Sequence, residues 1–122
     1  MSAIRLKRVY DPHAPEDGIR VLVDRLWPRG LKREAAAIDL WLKAVAPSDA
    51  LRRWFGHDPR RWAEFRERYH AELRANSEAI APLRDLLARG KTVTLLFAAK
   101  DMDHNNAVAL KDLIDAPARG DV

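Results

Sequence analysis

The clearest pattern of apolar and polar residues lies near the carboxyl end of the chain, between residues 92 and 114. Thr92 to Phe97 is β-branched and apolar without strict alternation, which is typical of a strand covered on both faces of a parallel sheet. A polar turn follows, and then a helix is predicted because Ala107, Leu110 and Leu113 recur on one stripe. In open α/β sheets, ligands bind at such strand-to-helix turns.

Three further strands are predicted upstream. Ile4 to Tyr10 alternates, with Ile4 and Leu6 facing one side and Val9 the other. Arg20 to Asp24 forms a short apolar strand after a loop rich in Asp, Pro and Gly. Ile38 to Leu42 repeats with period two, although a short helix is the alternative for this segment.

Helices are predicted over most of the remaining chain. Leu31 to Ala37 holds one turn, and Ser48 caps a short helix that runs through Trp54. Asp58 and Pro59 begin a longer helix with Trp62, Phe65, Tyr69 and Leu73 on its inner face. The last of these helices covers about Ser77 to Arg89 and ends at Gly90. Pro82 either bends it or indicates a later start.

These elements predict an α/β fold: a single three-layer domain with a small, mainly parallel sheet of about four strands flanked by helices. The domain is expected to span residues 1–122, with an ordered core at about 3–115 and a tail at 116–122. The strands near Val21 and Leu95 are expected to be parallel, which places Asp24 and Lys100 at the same edge.

Composition narrows the class of protein only moderately. Apolar residues make up 48% of the chain, no run of them approaches the about 18 that a membrane span needs, and no signal-peptide core is present. The absence of cysteine excludes disulfides and thiolate chemistry and favours a cytoplasmic location. The net charge of +4 fits an anionic ligand or nucleic acid, but an ordinary surface rich in arginine and glutamate also explains it.

Candidate site residues fall into three groups. The first is the turn before the last helix, where Asn105 or Asn106 is a natural N-cap and the helix dipole favours an anion. The second follows the second strand, where arginine offers fork-shaped donors for phosphate or carboxylate. The third is the aromatic segment from Trp54 to Asp58, which is interpreted mainly as a hydrophobic anchor and a helix cap but offers a histidine to the site, and a tyrosine after the first strand is placed at the rim. The candidates are Lys100, Asp101, His104, Asn105 and Asn106; Asp24, Arg25 and Arg29; and Tyr10 and His57.

Each group also has a simpler explanation. The turn at 100–106 can be a capped surface turn in which Asp101 and Lys100 pair. Asp24 and Arg25 can form a buried structural pair, and Trp27 is interpreted as packing. No metal-ligand spacing, P-loop, GxGxxG or nucleophile elbow is present, so neither a metal nor a cofactor is predicted.

The preferred interpretation is a site for a small anionic molecule, with hydrolase or transferase chemistry as an option. Asp24 and His104 are then the candidate proton-transfer residues. The alternative is a nucleic-acid- or protein-binding module that uses the arginines between 52 and 68. Glutamates at 64, 67 and 72 interrupt that surface, which disfavours it. The sequence decides neither between enzyme and binder nor the oligomeric state.

Four segments resemble the YeaO-like family, number 488 among the bacterial domains of unknown function: VLVDRLWPRGL, WLKAVAPS, LRRWFGHDPRRWAEFRERYHAEL and TLLFAAKDMDHNNAVAL. The resemblance runs from Val9 to Leu113 and implies a compact α/β domain without an established activity. A longer branch of the superfamily has an Asp-x-Arg near the end of its second strand, and Asp24-Arg25 is similar to it. That branch has a cysteine before its last helix, where this chain has Ala98 or a neighbour. A looser likeness to rhodanese-type domains, which hold an anion at a helix N-terminus, is an analogy of fold alone.

Overall fold

A computed structural model describes residues 3–116 and contains one four-stranded sheet in this range. Its strands are β1 (Ile4–Arg8), β2 (Ile19–Leu22), β3 (Leu40–Trp41) and β4 (Val93–Phe97). All the pairings are parallel, and the strand order is β1-β4-β2-β3. The predicted parallel α/β sheet is confirmed, including the parallel pairing of the strands that contain Val21 and Leu95.

Five α-helices surround the sheet in the described part: α1 (Arg33–Ala36), α2 (Asp49–Phe55), α3 (Trp62–Ala75), α4 (Ala81–Ala88) and α5 (Asn106–Asp115). Short 3-10 turns lie at Pro15–Asp17, Lys43–Val45, Pro59–Arg61 and Ser77–Ile80. Across residues 3–116, no helix has both the length and the apolar character needed to cross a membrane. Most of the predicted tail, from residue 117 onward, lies outside the described residues.

Several predicted boundaries shift for local reasons. Ser48 caps α2 as expected, since its side chain accepts a hydrogen bond from the Leu51 N–H. The segment predicted as one helix from residue 77 is a 3-10 turn followed by α4. This confirms the later start, because Pro82 then lies in the first turn, where no N–H is needed. The strand predicted at 38–42 shortens to Leu40–Trp41, which pairs only with β2 at the edge.

The sheet separates two apolar clusters because side chains alternate along each strand. Val93, Leu95 and Phe97 of β4 belong to the larger cluster, which α2, α3, α4 and α5 cover. Leu96 belongs to the smaller cluster with Val9 and Leu22, and this one is covered by the following residues: Trp27, Leu31, Ile38 and Trp41. Every residue of β4 is buried, as predicted for a strand covered on both faces.

A buried group of charges occupies the amino end of the second face. Arg20 is 1% exposed and Asp17 is 2% exposed, and a guanidinium nitrogen of Arg20 lies 2.5 Å from a carboxylate oxygen of Asp17. Lys7 Nζ donates to the same carboxylate at 3.1 Å. Burial opposes the charged form of Asp17, but hydrogen bonds from the Ala14 N–H, Lys7 and Arg20 outweigh it and lower the pKa to about 2.

Replacing this carboxylate tests how far the fold depends on it. We expect Asp17→Asn to lower the free energy of unfolding by roughly 3 kcal/mol at neutral pH, because it leaves the Arg20 guanidinium buried without its counter-charge. The folded pKa of Asp17 lies below its ordinary 3.8, so the stabilisation is present above that value and is lost as pH falls toward 2. Urea titrations at neutral and acidic pH measure both effects.

The exposed pair between Asp85 and Arg89 on α4 supplies a matched control. Asp85→Asn is expected to change stability by less than about 1 kcal/mol. Equal losses for Asp17→Asn and Asp85→Asn would contradict a special role for the buried charges.

Gly18 joins the 3-10 turn at Pro15–Asp17 to β2 under two constraints. Its φ is +64°, and a Cβ at this position would collide with the Thr92 carbonyl, which accepts the Ile19 N–H at 2.9 Å. Gly90 also has a positive φ of +78°, but a Cβ there would have open space.

We therefore expect Gly18→Ala to be far more destabilising than Gly90→Ala. The latter should cost about 1 kcal/mol, since only the left-handed backbone penalises it. Gly18→Ala should cost several times more, because either β4 or the turn must move. Thermal melts of the two variants compare these costs. Similar decreases in melting temperature would show that the Thr92 backbone can move away from the added Cβ at little cost.

Candidate functional site

A cleft of about 550 Å³ opens at the carboxyl edge of the sheet. Its size lies within the range of about 300–1,000 Å³ that is usual for small-molecule sites. The loops after β1, β2 and β4 form it together with α2 and the start of α5. Its lining consists of Tyr10, Asp24, Arg25, Leu26, Trp27, Pro28, Arg29, Ala46, Pro47, Arg52, Phe55, His57, Phe65, Ala98, Ala99, Asn105 and Asn106.

The loop after β2 is held by two tryptophans. Trp27 Nε1 donates to the Leu31 carbonyl at 2.6 Å, and Trp41 Nε1 donates to the Asp24 carbonyl at 2.8 Å. The two indole rings meet edge to face with their centroids 5.4 Å apart. Both rings pack on the smaller apolar cluster, so this loop has a fixed shape that presents Arg25 and Arg29 to the cleft.

The loop after β4 is fixed from both sides. Arg8 donates to the Ala98 carbonyl at 3.1 Å and to the Ala99 carbonyl at 3.0 Å. Asp24 Oδ2 accepts from the Ala98 N–H at 2.9 Å, and Asn106 Nδ2 donates to the Val23 carbonyl at 3.0 Å. The ends of β1, β2 and β4 are thereby tied together at the cleft.

Asn105 is the N-cap of α5, as predicted for one of the two asparagines. Its side-chain oxygen accepts from the Val108 N–H at 3.0 Å, and its amide nitrogen donates to the Asp101 carbonyl at 2.9 Å. The residue is 2% exposed, so the cap belongs to the interior of the protein. The positive end of the α5 dipole faces the cleft at this point.

Cationic side chains dominate the rim of the cleft. Arg25 and Arg52 share one counter-ion, since Asp49 Oδ1 lies 3.6 Å from the former and 3.5 Å from the latter. The alternative of a buried pair between Asp24 and Arg25 is not formed. Both guanidiniums remain nearly half exposed, at 44% and 46% of their side-chain surface. Such exposed pairs are weak and open readily.

Asp24 is the carboxylate that lines the cleft. Burial raises its pKa above the ordinary 3.8, and the opposing effects of the Ala98 N–H, the Asn106 side chain and the charge of His57 are smaller. A carboxyl group whose surroundings disfavour its charge destabilises the fold at neutral pH. Groups of this kind cluster at functional sites.

The structure brings seven of the ten predicted site residues into one cleft: Tyr10, Asp24, Arg25, Arg29, His57, Asn105 and Asn106. Lys100, Asp101 and His104 are not part of its lining. His104 Nδ1 lies 3.0 Å from Asp101 Oδ2, and its ring packs edge-on against Trp62 of α3 at 5.4 Å. The Asp103 N–H and the His104 side chain lower the pKa of Asp101. The sequence-based pairing of Asp24 with His104 in one site is therefore not supported, because the turn before α5 packs against α3.

Sequence reasoning missed several lining residues. Arg52 was assigned to the arginine-rich surface, and no local signal distinguishes it from Arg53 on the same helix. Phe55 is not among the candidate residues, and Phe65 is predicted only as an inner-face residue of its helix. Their rings stack with centroids 4.2 Å apart at the cleft. Within residues 3–116, no group of three or more His, Asp or Glu side chains could hold a metal ion.

Comparison with known proteins identifies relatives along nearly the whole chain. The model of the inactive DUF488-N3 subclade, DUF488-N3i, matches residues 3–121. The chain is 45% identical over 109 residues to the uncharacterised protein YeaO of Escherichia coli. This match covers 89% of the chain and 94% of YeaO. It is 42% identical over 112 residues to the uncharacterised protein Rv3073c of Mycobacterium tuberculosis. That match covers 92% of the chain and 93% of Rv3073c. No solved structure matches. These similarities confirm the resemblance carried by the four motifs.

We expect Asp24→Asn to stabilise the protein at neutral pH, in contrast to Asp17→Asn. The amide retains an acceptor for the Ala98 N–H and removes a charge that its surroundings disfavour. Because the folded pKa of Asp24 is raised, stability is lost as pH rises through the ordinary value of 3.8 toward the folded pKa. A gain of about 0.5–2 kcal/mol in urea titrations at neutral pH is expected, the usual range for one stabilising change. A loss instead would show that Asp24 is structural.

Proposed function

The chain belongs to the DUF488 family, and the family model that matches it describes an inactive subclade. On this premise, we propose that the cleft binds a small organic anion without converting it chemically. One observation carries the proposal: three arginines converge on a cleft at the N-terminus of α5. Arg25 and Arg29 come from the loop after β2, and Arg52 comes from α2. Guanidinium forks and a helix N-terminus are both suited to phosphate or carboxylate.

The chemistry of the lining favours binding over catalysis. It includes no serine, threonine, cysteine or lysine that could act as a nucleophile. The Tyr10 hydroxyl donates to the Arg29 carbonyl at 2.9 Å. The resemblance to the longer branch of the superfamily implies that Ala98 or a neighbour stands where that branch has its cysteine. The hydrolase and transferase options are therefore not part of the proposal, and His104 has no role in it.

The Asp24 carboxyl group links anion binding to its own protonation. An anion held by the arginines raises the pKa of a neighbouring carboxyl further, since two negative charges repel each other. Binding is then accompanied by proton uptake, and affinity increases as pH falls through the pKa of the bound state.

The alternative of a nucleic-acid- or protein-binding surface receives less support. Its arginines are largely engaged with carboxylates on the same surface. Arg60 and Arg61 pair with Asp58, Arg66 pairs with Asp112, and Arg68 pairs with Glu64. Such pairing reduces the positive potential that a phosphate backbone requires.

Replacing single arginines of the cleft tests anion binding. We expect phosphate or sulfate to raise the melting temperature of the parent protein, and Arg25→Ala and Arg52→Ala to reduce this effect. Losing one charge-assisted contact should weaken binding by about 1.5–3 kcal/mol, or roughly ten- to 150-fold. Titrations monitored by thermal shift and calorimetry measure the change.

Arg53→Ala is the matched control, because it removes the same charge from the same helix outside the cleft lining. Its anion affinity should stay within about twofold of the parent value at physiological salt, where more distant charges are screened. Equal weakening in Arg52→Ala and Arg53→Ala would indicate only a diffuse charge effect and would reject the site.

A further inference from the structure

Tyr10 is an exposed aromatic residue that is nevertheless held in place. Its side chain follows β1, lines the cleft and leaves the residue 42% exposed. Its hydroxyl donates to the Arg29 carbonyl at 2.9 Å, and the Arg8 guanidinium lies 5.1 Å from its ring centroid. Arg8 is itself fixed by the carbonyls of Ala98 and Ala99. The ring is thus oriented before any ligand arrives.

The cleft is larger and more apolar than a simple anion needs. Leu26 lines it and is 65% exposed, so two of the four exposed large hydrophobic residues in the described range meet here. Phe55, Pro28 and Pro47 add further apolar surface. A volume of about 550 Å³ leaves most of the cleft empty around one phosphate group. Such a lining is suited to a ligand with a sizeable apolar body.

We infer that the ligand is a flat, unsaturated ring joined to a phosphate, the chemistry of a nucleoside monophosphate, and that Tyr10 is the surface on which the ring stacks. This rests on the proposed function, because the phosphate is placed at Arg25, Arg29 and Arg52. A ring fixed at its hydroxyl and by a cation beneath it loses little conformational entropy when a base stacks on it. The ring and the arginines flank the same cleft, so one ligand can reach both.

The test compares ligands that share a phosphate and differ in the ring. Adenosine 5′-monophosphate, uridine 5′-monophosphate, ribose 5-phosphate and inorganic phosphate are titrated into the full chain by calorimetry. We expect the nucleotides to bind about 5- to 150-fold more tightly than ribose 5-phosphate, the range for stacking of one base on an aromatic side chain. Equal affinities for ribose 5-phosphate and the nucleotides would overturn the inference without any variant.

Two substitutions test whether the tighter binding of nucleotides depends on the Tyr10 ring. Tyr10→Ala should remove most of the nucleotide-to-ribose-phosphate affinity ratio, and Tyr10→Phe should retain most of it because the ring remains. If Tyr10→Ala does not fold, Tyr10→Leu replaces it, since leucine keeps an apolar side chain without a ring. A ratio that is unchanged in the alanine or leucine variant would show that the ring binds elsewhere and would reject the role of Tyr10.

The failure of this inference differs from failure of the proposed function. If phosphate and ribose 5-phosphate bind in an Arg52-dependent manner but nucleotides bind no more tightly, only the inference fails. If uncharged adenosine, titrated in the same way, binds as tightly as adenosine 5′-monophosphate, the anion site fails, and the inference fails with it because the phosphate then makes no contribution. If none of these compounds binds, both fail.

Discussion

The buried ion pair between Arg20 and Asp17 ties the turn before β2 to the end of α1 on one face of the sheet. Arg20 projects from β2 on the face opposite the large core, and Asp17 ends the turn before that strand. The same guanidinium donates to the Ala37 carbonyl at 2.8 Å and the Ala36 carbonyl at 3.3 Å. It therefore holds the end of α1, where Ala37 adopts a left-handed conformation with φ of +50°. Removing either charge would leave the other buried, which is why a pair of this kind tolerates little change.

The same face of the sheet also bears on the cleft. The segment between β2 and α1 covers the smaller apolar cluster with Trp27 and Leu31. Trp27 and Trp41 complete that cover, so the loop that carries Arg25 is pulled toward the sheet edge. The packing on one face of the sheet thus positions the charges at its end.

Features that cost stability collect around the same cleft. Asp24 has a raised pKa, Tyr10 leaves an aromatic ring exposed, and His57 has a left-handed backbone with φ of +57°. Each departs from what folding alone would select, and such departures concentrate where proteins bind ligands. At the rim of the same cleft, the Asp49 carboxylate is shared by Arg25 and Arg52.

The sequence by itself determined the parallel sheet, the burial of β4 and an N-cap at one of two asparagines, Asn105 or Asn106. Those features follow from apolar periodicity and from capping chemistry, which act over a few residues. It also predicted that the loops after β2 and β4 meet at one edge of the sheet, since the carboxyl ends of parallel strands lie together. Only the tertiary structure decided which polar residues meet there. Two consecutive arginines on α2 diverge, so that Arg52 lines the cleft and Arg53 does not. His104 turns toward Trp62, and Arg20 is buried because its partners come from separate segments. These outcomes depend on packing between distant parts of the chain, which local patterns do not encode.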